Sequence, residues 1–319
     1  MPNQSPFITV ILPVYNVEKY LDDCLGSLLK QTYKHFEVIA VNDGSTDNSL
    51  EVLSRYQNQF DQMKIINQEN RGLSGARNTG LNYVSGKYTY FLDSDDLLLA
   101  NTFENLVNQA EQHNADLIRF CAESFVEDDF DYDYNSNLYR DQKELVPNQV
   151  YDRDSFIQIN WKKKVYRSPV WLYFFRSEIL LKNQLDFEER LIHEDELFTP
   201  IALLHCERIL YDPTPYFQRR YRPNSIMTSG IYSNLNSYKS KRIILQKLGS
   251  YRKSLRLSET GQRFLDWRIN YTYKTILRYQ FADFNALAKE VKEVTKFKQF
   301  VFYSKFKGRR LLKTIKSTK

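Results

Sequence analysis

The chain has 319 residues, 42% of them hydrophobic, and a formal net charge of +6. That composition can bury a core and excludes a chain disordered by composition. No stretch of 18 apolar residues occurs, which excludes an apolar membrane-spanning helix, and residues 1–6 have neither the basic start nor the apolar run of a signal peptide.

Three cysteines, Cys24, Cys121 and Cys206, lie far apart with no CxxC and no Cys/His cluster. They read as small buried hydrophobes, with no structural zinc or disulfide framework, and fit a reducing cytosol. The charge is uneven: residues 239–319 carry 22 Lys/Arg and 5 Asp/Glu, while residues 1–238 carry 23 and 34. A step of this size suggests two functional regions.

The first third alternates. Residues 7–12 form an apolar run closed by Pro13, the signature of a buried strand. In residues 20–30, Leu21, Cys24, Leu25, Leu28 and Leu29 fall on one helical face. Strands follow at 36–41, 63–66, 88–92 and 116–121, with helices at 47–60, 73–84 and around Phe103, Leu106, Val107 and Ala110. Strands alternating with such helices imply a mainly parallel sheet covered by helices, an α/β class.

Residues 123–146 hold eight acids and two bases with no helical period, and predict a loop or short hairpin. Folding resumes near Tyr151 with an aromatic cluster (Trp161, Trp171, Tyr173, Phe174, Phe175) and a helix at 194–205. Pro213, Pro215 and Pro223 predict a loop-rich stretch. From about Leu235 the pattern is helical, with Ile244, Leu248, Tyr251 and Leu255 on one face and Leu265, Ile269, Ile276 and Tyr279 near one face of the next helix.

In doubly wound sheets, ligands bind beyond the carboxyl ends of the strands. Four strand ends carry polar signatures. Pro13-Val14-Tyr15-Asn16 offers an aromatic face to a base. Val41-Asn42-Asp43-Gly44-Ser45-Thr46-Asp47 puts Asp43 where a carboxylate can accept from a uracil imide, with Gly44 for the turn and Asp47 as a helix cap. Residues 70–80, NRGLSGARNTG, supply small residues for close packing and Arg77 for a carboxylate or phosphate; neither a Walker loop nor GxGxxG is present. Asp93-Ser94-Asp95-Asp96 follows the strand at 88–92. Three carboxylates so close repel, unless a divalent cation links them to phosphates or they form a solvated acidic turn.

Together, "ITVILPVYNVEKYLDDCLGSLLKQTY", "FEVIAVNDGSTDNS", "NRGLSGARNTGL" and "YTYFLDSDD" resemble the nucleotide-binding half of family 2 glycosyltransferases, over residues 7–99 and in the family's order. The resemblance implies the GT-A fold, with a catalytic domain at 1–234 (donor-nucleotide half 1–100, acceptor half 101–234) and a basic helical extension at 235–319. It implies an inverting enzyme that moves a sugar from a nucleotide-diphosphate donor, a UDP-sugar by the Asp43 reading, to a hydroxyl of a glycan acceptor. The family's habits suggest a lipid-linked acceptor in bacterial cell-surface polysaccharide synthesis. By the same resemblance Pro13, Tyr15, Asp43, Arg77, Asp93 and Ser94 bind the nucleotide. Asp93 and Asp95 form the DXD motif, with Asp95 on Mn²⁺ or Mg²⁺, and Asp96 stands near the acceptor.

The resemblance weakens after residue 120, yet His193-Glu194-Asp195-Glu196 matches the family's Glu-Asp motif, which makes Asp195 the general base with Glu194 beside it. Acids at a helix start also suit the dipole. Residues 220–226, RYRPNSI, resemble the loop that closes over the diphosphate, which assigns Arg222 there. A sugar-nucleotide-forming nucleotidyltransferase would carry a glycine-rich basic loop after the first strand, which residues 13–16 are not. A non-catalytic sugar-nucleotide binder is disfavoured by Asp93, Asp95 and Asp195.

Residues 297–319 carry eight basic residues and no acid, interleaved with aromatic and aliphatic side chains. Such a segment suits an anionic membrane surface, at the inner face of the cell membrane for a cytoplasmic enzyme. No nucleic-acid motif accompanies it.

Overall fold

The structure, a computed structural model, describes residues 7–127, 130–140, 143–223, 225, 234–283 and 287. The basic segment 297–319 lies outside them.

Among the described residues nine strands form one sheet: β1 (Ile8–Val14), β2 (Phe36–Asp43), β3 (Met63–Gln68), β4 (Tyr88–Phe91), β5 (Leu97–Leu98), β6 (Leu117–Val126), β7 (Val150–Asp152), β8 (Tyr173–Arg176) and β9 (Arg208–Tyr221). Their order is β3-β2-β1-β4-β8-β6-β9-β5, with β7 also paired to β9. β3, β2, β1 and β4 are parallel neighbours, as are β6 and β9, whereas β8 runs antiparallel between β4 and β6. The helices are α1 (Glu18–Leu29), α2 (Ser49–Gln57), α3 (Gly72–Leu81), α4 (Thr102–His113), α5 (Arg153–Lys163), α6 (Ser177–Lys182), α7 (Asp195–Leu204), α8 (Leu235–Ser254) and α9 (Glu259–Ile276).

β1 is buried along its whole length, which is why it reads as an unbroken apolar run. Pro13 does not stop it: the strand continues to Val14, with Pro13 opposite Val41. Close to the strand end, the missing proline N–H costs little ladder. α3 packs tightly over this strand, because a Cβ on Gly80 would come within 2.5 Å of the Ile11 side chain.

Two departures follow from tertiary pairing. The aromatic run at 173–176 is β8, wedged into the sheet, with Phe174 stacked on Tyr88 at 5.0 Å. The stretch read as loop-rich is the 14-residue strand β9. Its prolines coincide with a break in register: Phe120 faces Asp212, Cys121 faces Pro215, and Ala122 faces Phe217. Residues that cannot donate to the ladder are placed in a bulge, and the strand resumes beyond it. The acidic segment also begins as strand, since β6 extends to Val126.

α8 packs on α7, and α9 on α5 and α8. Ile244, Leu248, Phe264 and Ile269 belong to the same continuous buried cluster as Val10 and Leu25. The charge step near residue 238 is therefore not a gap in the core. The three cysteines are buried and free, and no described helix is long and apolar enough to cross a membrane.

Candidate active site

The polar signatures converge at the carboxyl ends of β1, β2 and β4. Tyr15 follows β1 and is half exposed, while Pro13 is buried. Asp43, the last residue of β2, is only 2% exposed. Its Oδ1 accepts from Gln68 Nε2 at 2.6 Å and from the Arg71 amide at 2.8 Å, and its Oδ2 accepts from the Gly72 amide at 2.8 Å. Asp43 thus ties β2 to the start of α3. A carboxylate offers about four lone-pair positions, so one is left for a ligand. Gly44 and Gly72 take φ of +71° and +77° to make these turns, a region that disfavours other side chains. Asp47 stands one residue before Asn48, the N-cap of α2, and accepts from the Glu18 and Ser49 amides at 3.0 Å each.

The centre of the site is Arg77. It sits in α3, is 1% exposed, and points across the cleft. Its Nη2 donates to Asp93 Oδ1 at 2.7 Å; its Nη1 donates to Glu194 Oε1 at 2.6 Å and to Asp195 Oδ1 at 3.3 Å. One guanidinium therefore joins the strand end after β4 to the start of α7, 117 residues away in sequence. Burial pulls the Arg77 pKa down, but Asp93, Asp195 and Glu194 outweigh it and push it up, so the arginine stays charged.

Asp195 responds differently. Burial pushes its carboxyl well above the usual range; Arg77 opposes this, while Glu194 and Asp93 add to it. The helix dipole acts in the other direction and favours the ionised form. A raised carboxyl is closer to the range a general base needs near neutral pH. Glu196, the third acid of the run, turns away to Lys241 Nζ at 2.6 Å and Arg268 Nη2 at 3.5 Å, both buried on α8 and α9. The adjoining His193 Nε2 lies 2.8 Å from Ser237 Oγ, and the Ile192 amide donates to Ser240 Oγ at 3.0 Å. The C-terminal helices thus hold the turn that presents Asp195.

Asp95 Oδ2 accepts from Arg222 Nε at 2.7 Å, and the Arg222 guanidinium lies 4.8 Å from the Tyr20 ring centre. Asp96 is 4% exposed and accepts from the Arg220 amide at 2.6 Å; burial, then Asp95 and Asp93, push its carboxyl up. Ser94, between Asp93 and Asp95 in the chain, is buried. The sequence-derived site residues lie at or just after these strand ends, in α3 (Arg77), at the start of α7 (Glu194, Asp195) and just past β9 (Arg222).

Among the described residues no three His, Cys, Asp or Glu side chains form a metal-holding group. Asp93 and Asp95 fit a cation that takes one or two carboxylates and completes its shell with phosphate oxygens, the habit of Mg²⁺ and Mn²⁺.

Several contributors escape a linear reading. Arg220 donates through Nε to the Asp95 carbonyl at 3.0 Å and through Nη2 to Asp23 at 2.7 Å, bracing the acidic turn. Lys241 and Arg268 are lost among the surface-type bases of the C-terminal third.

A parallel half-sheet whose strand ends carry an acidic turn, an arginine bridge and a facing helix-start acid defines the nucleotide-diphospho-sugar transferase class, the GT-A fold. The sequence model of glycosyl transferase family 2 matches residues 9–178, more than half of the chain, and the chain belongs to that family. Glycosyltransferase GlyA of Streptococcus pneumoniae is 34% identical over 225 residues, 69% of this chain and 31% of that protein. The uncharacterized glycosyltransferase EpsJ of Bacillus subtilis is 31% identical over 229 residues, 69% of this chain and 63% of that protein. The matched part thus spans less than two thirds of either relative. Residues 1–349 of Staphylococcus aureus TarS, crystallised with UDP-GlcNAc, share the fold with a TM-score of 0.69 and 23% identity, over 90% of this chain and 81% of that one.

Proposed function

We propose that this chain is an inverting, metal-dependent glycosyltransferase that uses a UDP-sugar and glycosylates a hydroxyl of a glycan acceptor in cell-surface polysaccharide synthesis. The observation that carries the reading is Arg77, which brings Asp93 of the acidic turn and Asp195 of α7 to one guanidinium. A donor held at Asp43 and Asp93 would place its reacting carbon before Asp195. The UDP-GlcNAc bound by TarS and the teichoic acid biosynthesis name of another relative, GgaB of Bacillus subtilis, support the donor and pathway class.

In this reading Tyr15 stacks on the base, Asp43 accepts from it, and Asp93 and Ser94 face the ribose. Asp95 would hold Mn²⁺ or Mg²⁺, which would supply Lewis-acid stabilisation of the leaving diphosphate. Arg222, beside Asp95, adds positive charge there. Asp195 takes the proton of the acceptor hydroxyl, with Asp96 and Glu194 flanking the acceptor side. A single displacement inverts the anomeric configuration and needs no carboxylate nucleophile, unlike retaining glycosidases. A lipid-linked acceptor would suit a basic 297–319 segment at the membrane surface, and loss of vesicle co-sedimentation on deleting that segment is the corresponding expectation.

The test is a donor screen with UDP-, GDP- and dTDP-sugars and Mn²⁺. Release of UDP is expected. Release of pyrophosphate from a nucleoside triphosphate and sugar phosphate instead would make the chain a nucleotidyltransferase.

A further inference from the structure

Four Lys and Arg side chains are buried among the described residues. Arg77, Lys241 and Arg268 each have a carboxylate oxygen at 3.5 Å or less, and Arg119 has none. Arg119 stands in the middle of the apolar strand β6 and is 0% exposed. Its Nη1 donates to the Phe120 carbonyl at 2.7 Å. Its Nε and Nη2 are buried and have no hydrogen-bond partner. Those two nitrogens form one edge of the guanidinium, the edge that grips an oxyanion through two parallel hydrogen bonds.

The surroundings of Arg119 are also positive. Tyr173 of β8 and Tyr211 of β9 lie opposite it in the ladder, and Tyr173 Oη donates to the Arg167 carbonyl. Arg167 spends Nε on the Leu138 carbonyl at 2.8 Å and Nη1 on the Tyr166 carbonyl at 3.0 Å. Burial pushes the Arg167 pKa down and Arg119 adds to this, opposed by Tyr139, Tyr173 and Tyr271, none of them a carboxylate. The Arg268 guanidinium lies 4.8 Å from the Tyr166 ring centre, and its Nε and Nη2, like Tyr166 Oη, have no hydrogen-bond partner. Glu196, 3.5 Å from Arg268, is engaged by Lys241 at 2.6 Å. Burial holds Tyr173 at about 12, while Arg119, Arg167 and Arg268 all pull it down, so three guanidinium groups surround one hydroxyl. Buried like charges repel, and a buried charge is stable only when paired.

We propose that the Nε–Nη2 edge of Arg119, with Arg167 and Arg268 beside it, binds a phosphate group. A phosphate fills that edge with two oxygens and still turns others towards a second guanidinium. Residues 167–169, half-buried with one side on solvent, give the approach. The next residue, Val170, donates its amide to the Asp195 carboxylate, and the Ser168 carbonyl accepts from Thr199 Oγ1 of α7 at 2.6 Å. The site thus sits on β6 and β8, one loop behind Asp195, and not at the ends of β1 and β2. It goes beyond the glycosyltransferase reading and does not rest on it.

The full chain would be titrated with inorganic phosphate at constant ionic strength, in buffer free of phosphate and sulfate, with excess UDP and Mg²⁺ to occupy the donor site. Calorimetry should show saturable binding, and the melting temperature should rise by about 3 °C at saturation. Arg119→Met should lose both effects. Without phosphate it should melt no lower than the parent, because an apolar chain replaces a buried charge that has no partner. Arg119→Lys keeps the charge without the edge and should bind phosphate about tenfold more weakly, which gives the reading if the methionine variant does not fold. Glucose 6-phosphate separates the two sources of the group. Binding as tight as that of inorganic phosphate, and lost in Arg119→Met, assigns the site to a phosphate ester; binding of inorganic phosphate alone assigns it to the free ion. No phosphate binding by the parent, or unchanged binding in the Arg119 variants, overturns the site. So does a methionine variant that melts below the parent by the same margin with and without phosphate, which would make Arg119 purely structural. The readout is the dependence on Arg119, so it holds whether or not the chain binds UDP.

Discussion

Arg77 Nη1 lies 3.3 Å from Asp195 Oδ1, and the same guanidinium holds Asp93 at 2.7 Å. The expected base thus meets a residue of α3, from the donor side of the site. Removing one partner of a buried ionic cluster leaves charges uncompensated and costs about 3–5 kcal/mol. Arg77→Met should lower stability by this order in urea titrations, and Glu194→Gln added to it should recover part. A loss below about 1 kcal/mol would show that the cluster does not depend on Arg77.

Asp195→Asn should keep UDP affinity within a few-fold, because Asp43 and the acidic turn hold the nucleotide elsewhere. Transfer should fall by roughly 10²–10⁴, the range for a lost general base. Steady-state transfer and UDP calorimetry separate the two. Near-parental transfer in Asp195→Asn, with loss in Glu194→Gln or Glu196→Gln, would name a different carboxylate; activity in all three would move the role to Asp96.

Asp95→Ala should abolish the gain in UDP affinity that Mn²⁺ confers. Isothermal calorimetry with and without Mn²⁺ gives that difference directly, and an undiminished gain would exclude Asp95 as the metal-holding residue.

Asp43→Ala should have two effects. The amides of Arg71 and Gly72 lose their acceptor, and a buried donor left unmade costs about 1–3 kcal/mol. UDP should also lose its advantage over GDP, which the parent chain is expected to show. A destabilised variant with unchanged UDP preference would confine Asp43 to tying β2 to α3.

Acid should destabilise the protein partly through His193. Burial first, then Lys241, push its pKa down to about 4, against the ordinary histidine value of 6.5. Between those values the unfolded chain takes a proton that the folded one refuses, so this contribution is present above pH 6.5 and lost as pH falls towards 4. The full loss is up to about 3 kcal/mol. Glu196 adds a second loss lower down: burial pushes it up, but Lys241 and Arg268 outweigh that and hold it at about 2. Asp195 and Asp96, whose carboxyls are raised, act with the opposite sign, so the informative measurement is the difference between parent and His193→Gln. That difference should narrow between pH 7 and 4, and parallel stability curves would contradict it.

The donor half of this protein was legible in the chain because its central strands β1, β2 and β4 are buried on both faces and its helices on one. Apolar runs and helical periods record such burial directly, and polar residues at strand ends stand out against them. The opening motifs added the order and spacing that pointed to Asp43, Arg77 and the acidic turn. What a linear reading could not supply were pairings across long separations. β8 enters the sheet only because β4 and β6 leave a gap for its aromatic residues, and β9 continues past its prolines because β6 accepts a bulge there. Lys241 and Arg268 look like solvated bases until Glu196 is placed beside them. The surroundings of Asp195 are set the same way: local sequence shows a helix start, whereas the side chain that meets its carboxylate, Arg77, lies 118 positions away.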